Sequence, residues 1–465
     1  MFKKYLSASF ITIVSSVVTK VIAFLMIAVL TWMISQEDYG EYSLFTTWES
    51  IISLIIGGSI ASSFGIAKKD FKEKYPDYLN STLGLSYLLF FVGLLFFSIF
   101  RFHQTQLFLL LVVFHSFNMN MLTNYDIRQT FDFKFLRGAT VTFLTSVICF
   151  ASVVISVYLI KDKNQGMVAI VAWTISHAVI ALYCQKTFFK NPKGLFNKQY
   201  WIYAARYSFP MVPHNLSLVI LNQMDRIMID EILNKAFVAI YSVIYGLSIV
   251  ISILWTAIRK VWVTWAYDRL AQNDEKSVIR VNHYLIALMA VLIVNYCYVS
   301  PEIIKVFLPE TYWDGINIMA PILFGYFYSF LFSIYVNIEY FYKKSGRIVW
   351  GTILSAAVNI ITNYYFIKKY GYKASAYTTL LSYFVLFFYH YLINFKHNYF
   401  HTSILILVSL FLTVVLGIFQ LAIESILLRA LFLTVVDAAA VLIILRILKQ
   451  NHMSVRDLVR VALKK

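Results

Sequence analysis

The chain has 465 residues, of which 60% are hydrophobic and only 14% are charged. Soluble proteins are about half apolar and about a quarter charged, so this composition excludes an ordinary soluble protein and requires lipid as a second apolar environment. The formal net charge of +17 then indicates membrane topology and attraction to anionic lipid, and we predict no nucleic-acid partner.

Apolar stretches of membrane-spanning length begin close to the N-terminus. Lys3 and Lys4 precede a stretch of about 25 residues, whereas a signal-peptide core has about 7–15, so we interpret it as a retained helix. Crossing a hydrocarbon core of about 30 Å takes about 20 helical residues. On this criterion the sequence predicts about fourteen transmembrane helices, near residues 9–34, 42–67, 78–100, 105–124, 139–160, 167–189, 208–233, 236–258, 281–300, 316–341, 346–367, 374–395, 402–421 and 426–447.

Basic residues indicate the orientation of these helices. If the N-terminus is inside, most of the 40 Lys and Arg residues fall in cytoplasmic segments, which predicts that both termini are cytoplasmic. Two of these segments are amphipathic: residues 455–463, and the loop after the eighth helix with Trp262, Trp265 and Leu270. Both fit helices that lie on the inner leaflet, although plain positively charged flanks with some local order would explain them equally well.

The sequence contains no motif that is typical of catalysis or cofactor binding. Cys149, Cys184 and Cys297 lie inside apolar stretches without the spacing of a disulfide or a metal site. We also find no phosphate-binding glycine-rich loop and no nucleophile elbow. The sequence therefore predicts no enzyme, no catalytic residues, no metal and no cofactor.

A weak internal repeat organises the chain. Tyr42-Ser43 follows the turn after the first helix, and Tyr241-Ser242 follows the turn after the seventh. Both helices begin inside, so the halves would be parallel repeats. We predict a six-helix lobe at 1–190, a second at 191–395, two additional helices within 396–448, and a basic amphipathic tail at 449–465.

Ionisable residues within the membrane are costly and usually face a cavity or a partner. At about 1.5 Å per residue, Lys20, Glu49 and Arg226 share a layer in the outer half of the membrane, with Asp225 beside Arg226. We predict a cavity in which Lys20 and Arg226 bind a diphosphate, and Glu49 and Asp225 hold these cations or carry a coupling proton. A structural Lys20–Glu49 ion pair is the alternative. Adjacent helical residues point about 100° apart, so Asp225 or Arg226 can lie at a helix interface. Asp437 is expected to be structural.

Several segments together resemble the Wzx-like polysaccharide transporters, and they cover most of the chain. They are Ile34 to Ser43 with Asp38-Tyr39-Gly40-Glu41-Tyr42-Ser43, Tyr207-Ser-Phe-Pro210-Met-Val-Pro213 followed by Asp225-Arg226, Ala239-Ile-Tyr241-Ser242-Val-Ile-Tyr245, and Pro301-Glu302-Ile-Ile-Lys305 with Tyr312. Ala239 stands where the family usually has glycine.

This resemblance implies a flippase of the multidrug/oligosaccharidyl-lipid/polysaccharide exporter superfamily. The implied fold is all-α, with two six-helix lobes in a V and two C-terminal helices. The implied substrate is an undecaprenyl-diphosphate-linked oligosaccharide, an O-antigen or capsule repeat unit of lipopolysaccharide or capsule synthesis. It would cross the bacterial cytoplasmic (inner) membrane by alternating access. The partners that the resemblance allows are membrane lipid, a coupling ion (proton or sodium), and polysaccharide polymerase and chain-length proteins.

Three other functions compete with this interpretation. A multidrug/cation antiporter of the same superfamily would have an acidic, aromatic cavity. A membrane polysaccharide polymerase or ligase would carry a large outside loop, and the outside loops here are short. A non-transporting scaffold would not need a layer of charges in the membrane.

Overall fold

The computed structural model describes residues 2–99, 105–161, 163–396 and four positions, 428, 429, 431 and 434. All regular elements in these residues are helical, which confirms the all-α prediction. Apart from those four positions, the predicted helices at 402–421 and 426–447, Asp437 and the basic tail at 449–465 lie outside the described residues.

The α-helices of the described residues, in chain order, are α1 (Phe2–Met33), α2 (Gln36–Gly57), α3 (Phe64–Phe71), α4 (Tyr75–Ile99), α5 (Gln106–Phe131), α6 (Phe135–Leu159), α7 (Gln165–Phe188), α8 (Lys198–Ser208), α9 (Val212–Ile232), α10 (Lys235–Ser248), α11 (Val250–Ala271), α12 (Glu275–Phe307), α13 (Ile316–Phe341), α14 (Ser345–Tyr370) and α15 (Lys373–Lys396). Pro213 lies in the first turn of α9, where the missing N–H of proline costs nothing. It therefore starts this helix rather than breaking it.

Eight helical segments among the described residues are long and apolar enough to cross a membrane, which makes this a multi-pass membrane protein. Helices α2, α9 and α14 have 22, 21 and 26 residues, and at about 1.5 Å per residue they are about 31–39 Å long, but they are more polar. Their buried polar residues include Glu49 in α2, Asp225 and Arg226 in α9, and Asn359 and Asn363 in α14. The count of fourteen spans stays a prediction.

The second predicted span, 42–67, is wrong at its C-terminal end. Helix α2 ends at Gly57, and Gly58 and Ser59 follow with φ of 54° and 52°. A glycine in this left-handed conformation is a common helix stop because it has no Cβ to clash. The chain continues as a short 3₁₀ helix, Ile60–Ser63, and then as α3.

The segment after the eighth predicted helix also differs from expectation. Helix α11 begins at Val250, directly after α10, and runs on to Ala271. Trp262 and Leu270 are buried, and the Trp262 indole N–H donates to Oδ1 of Asn282 in α12 at 2.7 Å. These two side chains therefore pack against protein and do not form a lipid-facing surface on the inner leaflet.

The chain divides into two compact units. The first comprises Met1–Leu247, Leu308–Gly315 and Gly346–Ser382, and the second comprises Ser248–Phe307, Ile316–Ser345 and Tyr383–Lys465. In the first unit α1 packs against α6, and α2 packs against α5, α7 and α9; in the second, α12 packs against α11 and α13. These units are defined by contacts between residues, and their boundaries do not coincide with the predicted repeat. The lobes at 1–190 and 191–395 therefore stay a prediction.

Candidate functional site

The two halves of the weak repeat meet at the starts of α2 and α10. Ser35 caps α2, since its hydroxyl accepts from the Asp38 backbone N–H at 3.1 Å, as is typical of helix N-termini. The Gly40 Cα lies so close to α10 that an added Cβ would sit 2.0 Å from the Lys235 carbonyl oxygen. This approach brings Tyr42 and Ser43 of one repeat to the same cavity as Ser242 of the other.

That cavity lies in the first unit and has a volume of about 340 Å³, within the range of about 300–1,000 Å³ usual for ligand sites. Hydroxyl, amide and aromatic groups alternate with apolar ones along its walls. It is lined by Thr19, Ile22, Ala23, Met26, Ile27, Tyr39, Tyr42, Ser43, Thr46, Thr145, Ser146, Cys149, Trp173, His177, Gln223, Arg226 and Ser242. Among these residues Arg226 carries the charge, and there is no carboxylate.

Arg226 is held in place by neutral groups. Its Nε donates to the Ser242 hydroxyl at 3.1 Å, and its Nη1 donates to the Asn222 carbonyl and to Oε1 of Gln223, both at 2.9 Å. The guanidinium also lies over the Tyr245 ring, 4.6 Å from its centroid, which is within cation–π range. The arginine is thus oriented without any loss of its charge.

One nitrogen of Arg226 remains available. Its Nη2 makes no hydrogen bond to any residue that the structure describes, and within the same part of the chain no carboxylate forms an ion pair with it. The side chain is only 7% exposed. An arginine in this state binds an anion readily, because a guanidinium can offer two parallel N–H groups to phosphate oxygens.

Asp225 lies elsewhere, in a helix interface. Its carboxylate accepts from the Tyr241 hydroxyl at 2.5 Å and the Thr379 hydroxyl at 2.7 Å. The side-chain amides of Asn363 and Asn359 donate to it at 2.6 and 3.2 Å. Four neutral donors stabilise a charge that the membrane would otherwise disfavour. Asp225 does not line the cavity, and a role of this residue in substrate binding stays a prediction.

The other two predicted residues lie beside the cavity rather than on its walls. Lys20 follows the lining residue Thr19 on α1 and has an exposed side chain. Glu49 is buried one turn beyond Thr46 on α2. The described part of the chain shows no Lys20–Glu49 ion pair, so the structural alternative does not hold. A substrate role for Lys20 or Glu49 stays a prediction.

An aromatic wall faces Arg226. The Tyr42 and Trp173 ring centroids are 5.3 Å apart, and Tyr39 lies 6.1 Å from Tyr42. His177 contacts the Cys149 sulfur through Nδ1 at 3.2 Å. Such rings offer flat faces to a sugar, and the hydroxyls of Ser43 and its neighbours offer hydrogen bonds.

Sequence reasoning missed most of this wall. The repeated Tyr-Ser pair marked Tyr42, Ser43 and Ser242 as a motif, but not as cavity residues. Gln223 precedes Arg226 by three positions, a spacing that places both on one helix face and could have identified it. For Trp173 the sequence gives no signal, because a single tryptophan in an apolar helix is ordinary.

Metal coordination is not evident at this site or elsewhere in the described residues, which contain no group of three or more His, Cys, Asp or Glu side chains arranged to hold an ion.

A family model described as polysaccharide biosynthesis protein matches residues 6–264, more than half of the chain. The chain belongs to the polysaccharide biosynthesis protein family. The matched region extends from residue 6 of α1 through α10 into α11 and contains every residue that lines the cavity. The family indicated by the sequence motifs is confirmed.

Other proteins similar to this member of the family are membrane proteins and transporters. An uncharacterized membrane protein of Haemophilus influenzae (strain ATCC 51907 / DSM 11121 / KW20 / Rd) is 24% identical over 280 residues, which is 58% of this chain and 66%, just under two thirds, of that protein. The structure of the lipid II flippase MurJ in an inward closed conformation gives a TM-score of 0.73 at 13% identity, covering 94% of this chain and 99% of that one.

A second solved structure, an inward-facing multidrug resistance MATE family transporter of the MOP superfamily, gives a TM-score of 0.60 at 14% identity, covering 81% of this chain and 94% of that one. Identities this low establish the fold and not the substrate. The solved structures that share this fold are those of a flippase and a transporter.

Proposed function

We propose that this protein is a flippase that moves an undecaprenyl-diphosphate-linked oligosaccharide, such as an O-antigen or capsule repeat unit, from the inner to the outer leaflet of the bacterial cytoplasmic membrane. The observation that carries the proposal is Arg226. It is a buried, oriented cation with a free nitrogen, in a cavity without a carboxylate. Burying an uncompensated charge is expensive, and an anionic substrate supplies its counter-ion.

The remaining walls suit the sugar part of such a substrate. Tyr42 and Trp173 supply ring faces, and Ser43, Thr145 and Ser146 supply hydroxyl groups. The polyprenyl chain needs no protein site because the bilayer itself solvates it. Lys20, on the helix that carries Thr19, is a further proposed contact of the diphosphate, and Glu49 a proposed partner of these cations.

Alternating access would bring the head group across while the lipid tail stays in the membrane. A coupling ion, proton or sodium, would drive the cycle, and polysaccharide polymerase and chain-length proteins would use the product outside. Both expectations come from the family resemblance.

A multidrug/cation antiporter is the second candidate, favoured by the fold likeness to a MATE family transporter. Its cavity would have to attract cations, whereas the cavity observed here presents an arginine. Export of a cationic dye that is abolished by Glu49→Gln would favour this candidate over the flippase.

The first prediction concerns Arg226→Gln. Hydrogen bonds to charged groups contribute about 1.5–3 kcal/mol, so this change should weaken binding of the diphosphate about 10- to 150-fold. In cells we expect little surface polysaccharide and accumulation of lipid-linked repeat units on the inner leaflet, with normal amounts of protein in the membrane.

Arg226→Lys, which keeps the charge but offers no bidentate contact, should give an intermediate phenotype. Arg206→Gln serves as the control, because Arg206 is an exposed residue of α8 and should not affect export. Normal surface polysaccharide in membrane-inserted Arg226→Gln would contradict the proposed function.

A further inference from the structure

A buried polar cluster lies in the second unit, whereas the cavity belongs to the first. It consists of Glu339, near the end of α13, and His390 and Asn394 on α15. These last two are four residues apart and therefore share a helix face. All three side chains are fully buried. We call this set the Glu339 cluster.

One carboxylate oxygen holds the cluster together. His390 Nδ1 lies 2.7 Å from Glu339 Oε1, and Asn394 Nδ2 donates to the same oxygen at 2.7 Å. Asn394 Nδ2 also donates to the backbone carbonyl of His390 at 2.8 Å. Both contacts are made by the Asn394 amide nitrogen, and the amide oxygen Oδ1 takes part in neither.

Three atoms of the cluster have no hydrogen-bond partner among the protein atoms that the structure describes: Glu339 Oε2, His390 Nε2 and Asn394 Oδ1. Buried polar atoms are nearly always paired, and an unpaired one destabilises the fold. A proton on Glu339 Oε2 would remove the carboxylate charge and turn this unpaired oxygen into a hydrogen-bond donor. The cluster thus contains a buried carboxyl group with an unpaired oxygen at which a proton can bind.

The chemistry of the cluster favours a proton over a metal ion. Its free atoms are two oxygens and one ring nitrogen, too few to replace the shell of about six oxygens that hard cations require. A carboxyl group that shares a hydrogen bond with an imidazole offers a proton two basic atoms, and binding of one proton changes the charge of the pair by one.

Charged side chains of the neighbouring helices α11 and α12 interact with residues next to the Glu339 cluster. On α13 the neighbouring Tyr340 interacts electrostatically with Glu339, with Arg259 and with Tyr267 of α11. On α12, Glu275 accepts from the Tyr342 hydroxyl at 3.2 Å. The side chains of Arg259 and Glu275 are exposed, so water screens them and the buried pair itself carries the change in charge.

From these contacts we propose that the Glu339 cluster binds and releases one proton and is the place where the protein takes up its coupling ion. The binding of the proton stands on the geometry of the cluster alone. The coupling of that proton to transport also depends on the proposed flippase function.

Proton binding is tested with the purified full-length protein in liposomes by infrared difference spectroscopy between about pH 5 and about pH 8, the range over which histidine side chains in general change charge. The wild type should show a carboxyl and imidazole signal that is lost in Glu339→Gln and lost or shifted in His390→Gln. Glu275→Gln, which changes an exposed carboxylate of α12, should keep it. The same signal in a folded Glu339→Gln protein would overturn the proposal, and His390→Gln replaces that variant if it does not fold.

Coupling is tested by flipping of the lipid-linked oligosaccharide in the same liposomes, with and without a pH gradient. A gradient should accelerate wild-type flipping several-fold, and Glu339→Gln should lose that acceleration, whereas Glu275→Gln should keep it. Undiminished acceleration in Glu339→Gln would overturn the coupling. Absence of flipping in the wild type would instead refute the proposed function and leave the infrared result to decide proton binding.

Discussion

At the scale of single residues, Asp225 and Arg226 show how two adjacent charges can serve different purposes. They point about 100° apart on α9. Asp225 is surrounded by donors from α10, α14 and α15, whereas Arg226 projects into the cavity. The carboxylate therefore joins helices, and the guanidinium is left for a ligand.

Because Asp225 connects several helices, we expect its substitution to lower the stability of the fold strongly. Asp225→Ala leaves the Tyr241 and Thr379 hydroxyls buried without an acceptor, at a cost of about 1–3 kcal/mol for each, and should strongly lower the thermal unfolding midpoint in detergent. Tyr241→Phe removes one donor and should cost about 1 kcal/mol. Glu231→Gln, an exposed change on the same helix, is the control.

Fluorescence-detected size-exclusion chromatography after heating provides the measurement. If Asp225→Ala unfolds at the same temperature as Glu231→Gln, the network does not hold these helices together.

The sequence singled out candidate site residues because an ionisable residue in lipid has few explanations, and their roles in binding stay predictions. Arg226 was identified on that ground, and so was the possibility that Asp225 lies at an interface. The lengths of the helices gave the depth of Lys20 and Glu49 but not the direction of their side chains, and that direction decides which residues line a cavity. The aromatic wall could not be predicted, because aromatic residues are common in all membrane helices.

At the scale of helices, Gly40 sets how closely α2 approaches α10. An alanine there would place its Cβ 2.0 Å from the Lys235 carbonyl oxygen. Main-chain atoms cannot yield as a flexible side chain can, so the helices would have to separate. The cavity depends on this contact because Ser43 and Ser242 come from the two helices concerned.

We therefore expect Gly40→Ala to lower the unfolding midpoint and to reduce export, with a cost of about 1–3 kcal/mol, typical of overpacking. Gly346→Ala is a matched control, since a Cβ at Gly346 meets nothing within 4 Å. Both variants are compared by surface polysaccharide and by thermal unfolding. Equal behaviour of the two would show that the close approach at Gly40 has no structural role.

Long apolar helices were predicted well because lipid imposes both their length and their composition. Most of the predicted spans among the described residues coincide with one helix each, such as 316–341 with α13. Helix ends were predicted less well where an apolar stretch continues past a break. Gly57-Gly58-Ser59 was a recognisable stop signal for α2, but the apolar residues beyond it extended the predicted span.

At the scale of the whole molecule, the distribution of Lys and Arg predicts the orientation in the membrane. The exposed Lys69 of α3 should face the cytoplasm, and the exposed Lys163, before α7, should face the outside. With a membrane-impermeant maleimide on intact cells, Lys163→Cys should be labelled and Lys69→Cys should be labelled only after lysis. The native Cys149, Cys184 and Cys297 are buried and should contribute little background.

The reverse labelling pattern would place the termini outside. It would also invert the direction in which the cavity accepts its substrate.

The network around Asp225 also has a consequence for biosynthesis. Tyr241 follows Asp225 by 16 residues, but Asn359 follows it by 134, which at about 5–20 residues per second takes the ribosome about 7–27 s to add. During that interval α9 is a nascent segment whose carboxylate has only its first partner. The translocon, or the helices already released from it, must shelter α9 from lipid until α14 arrives.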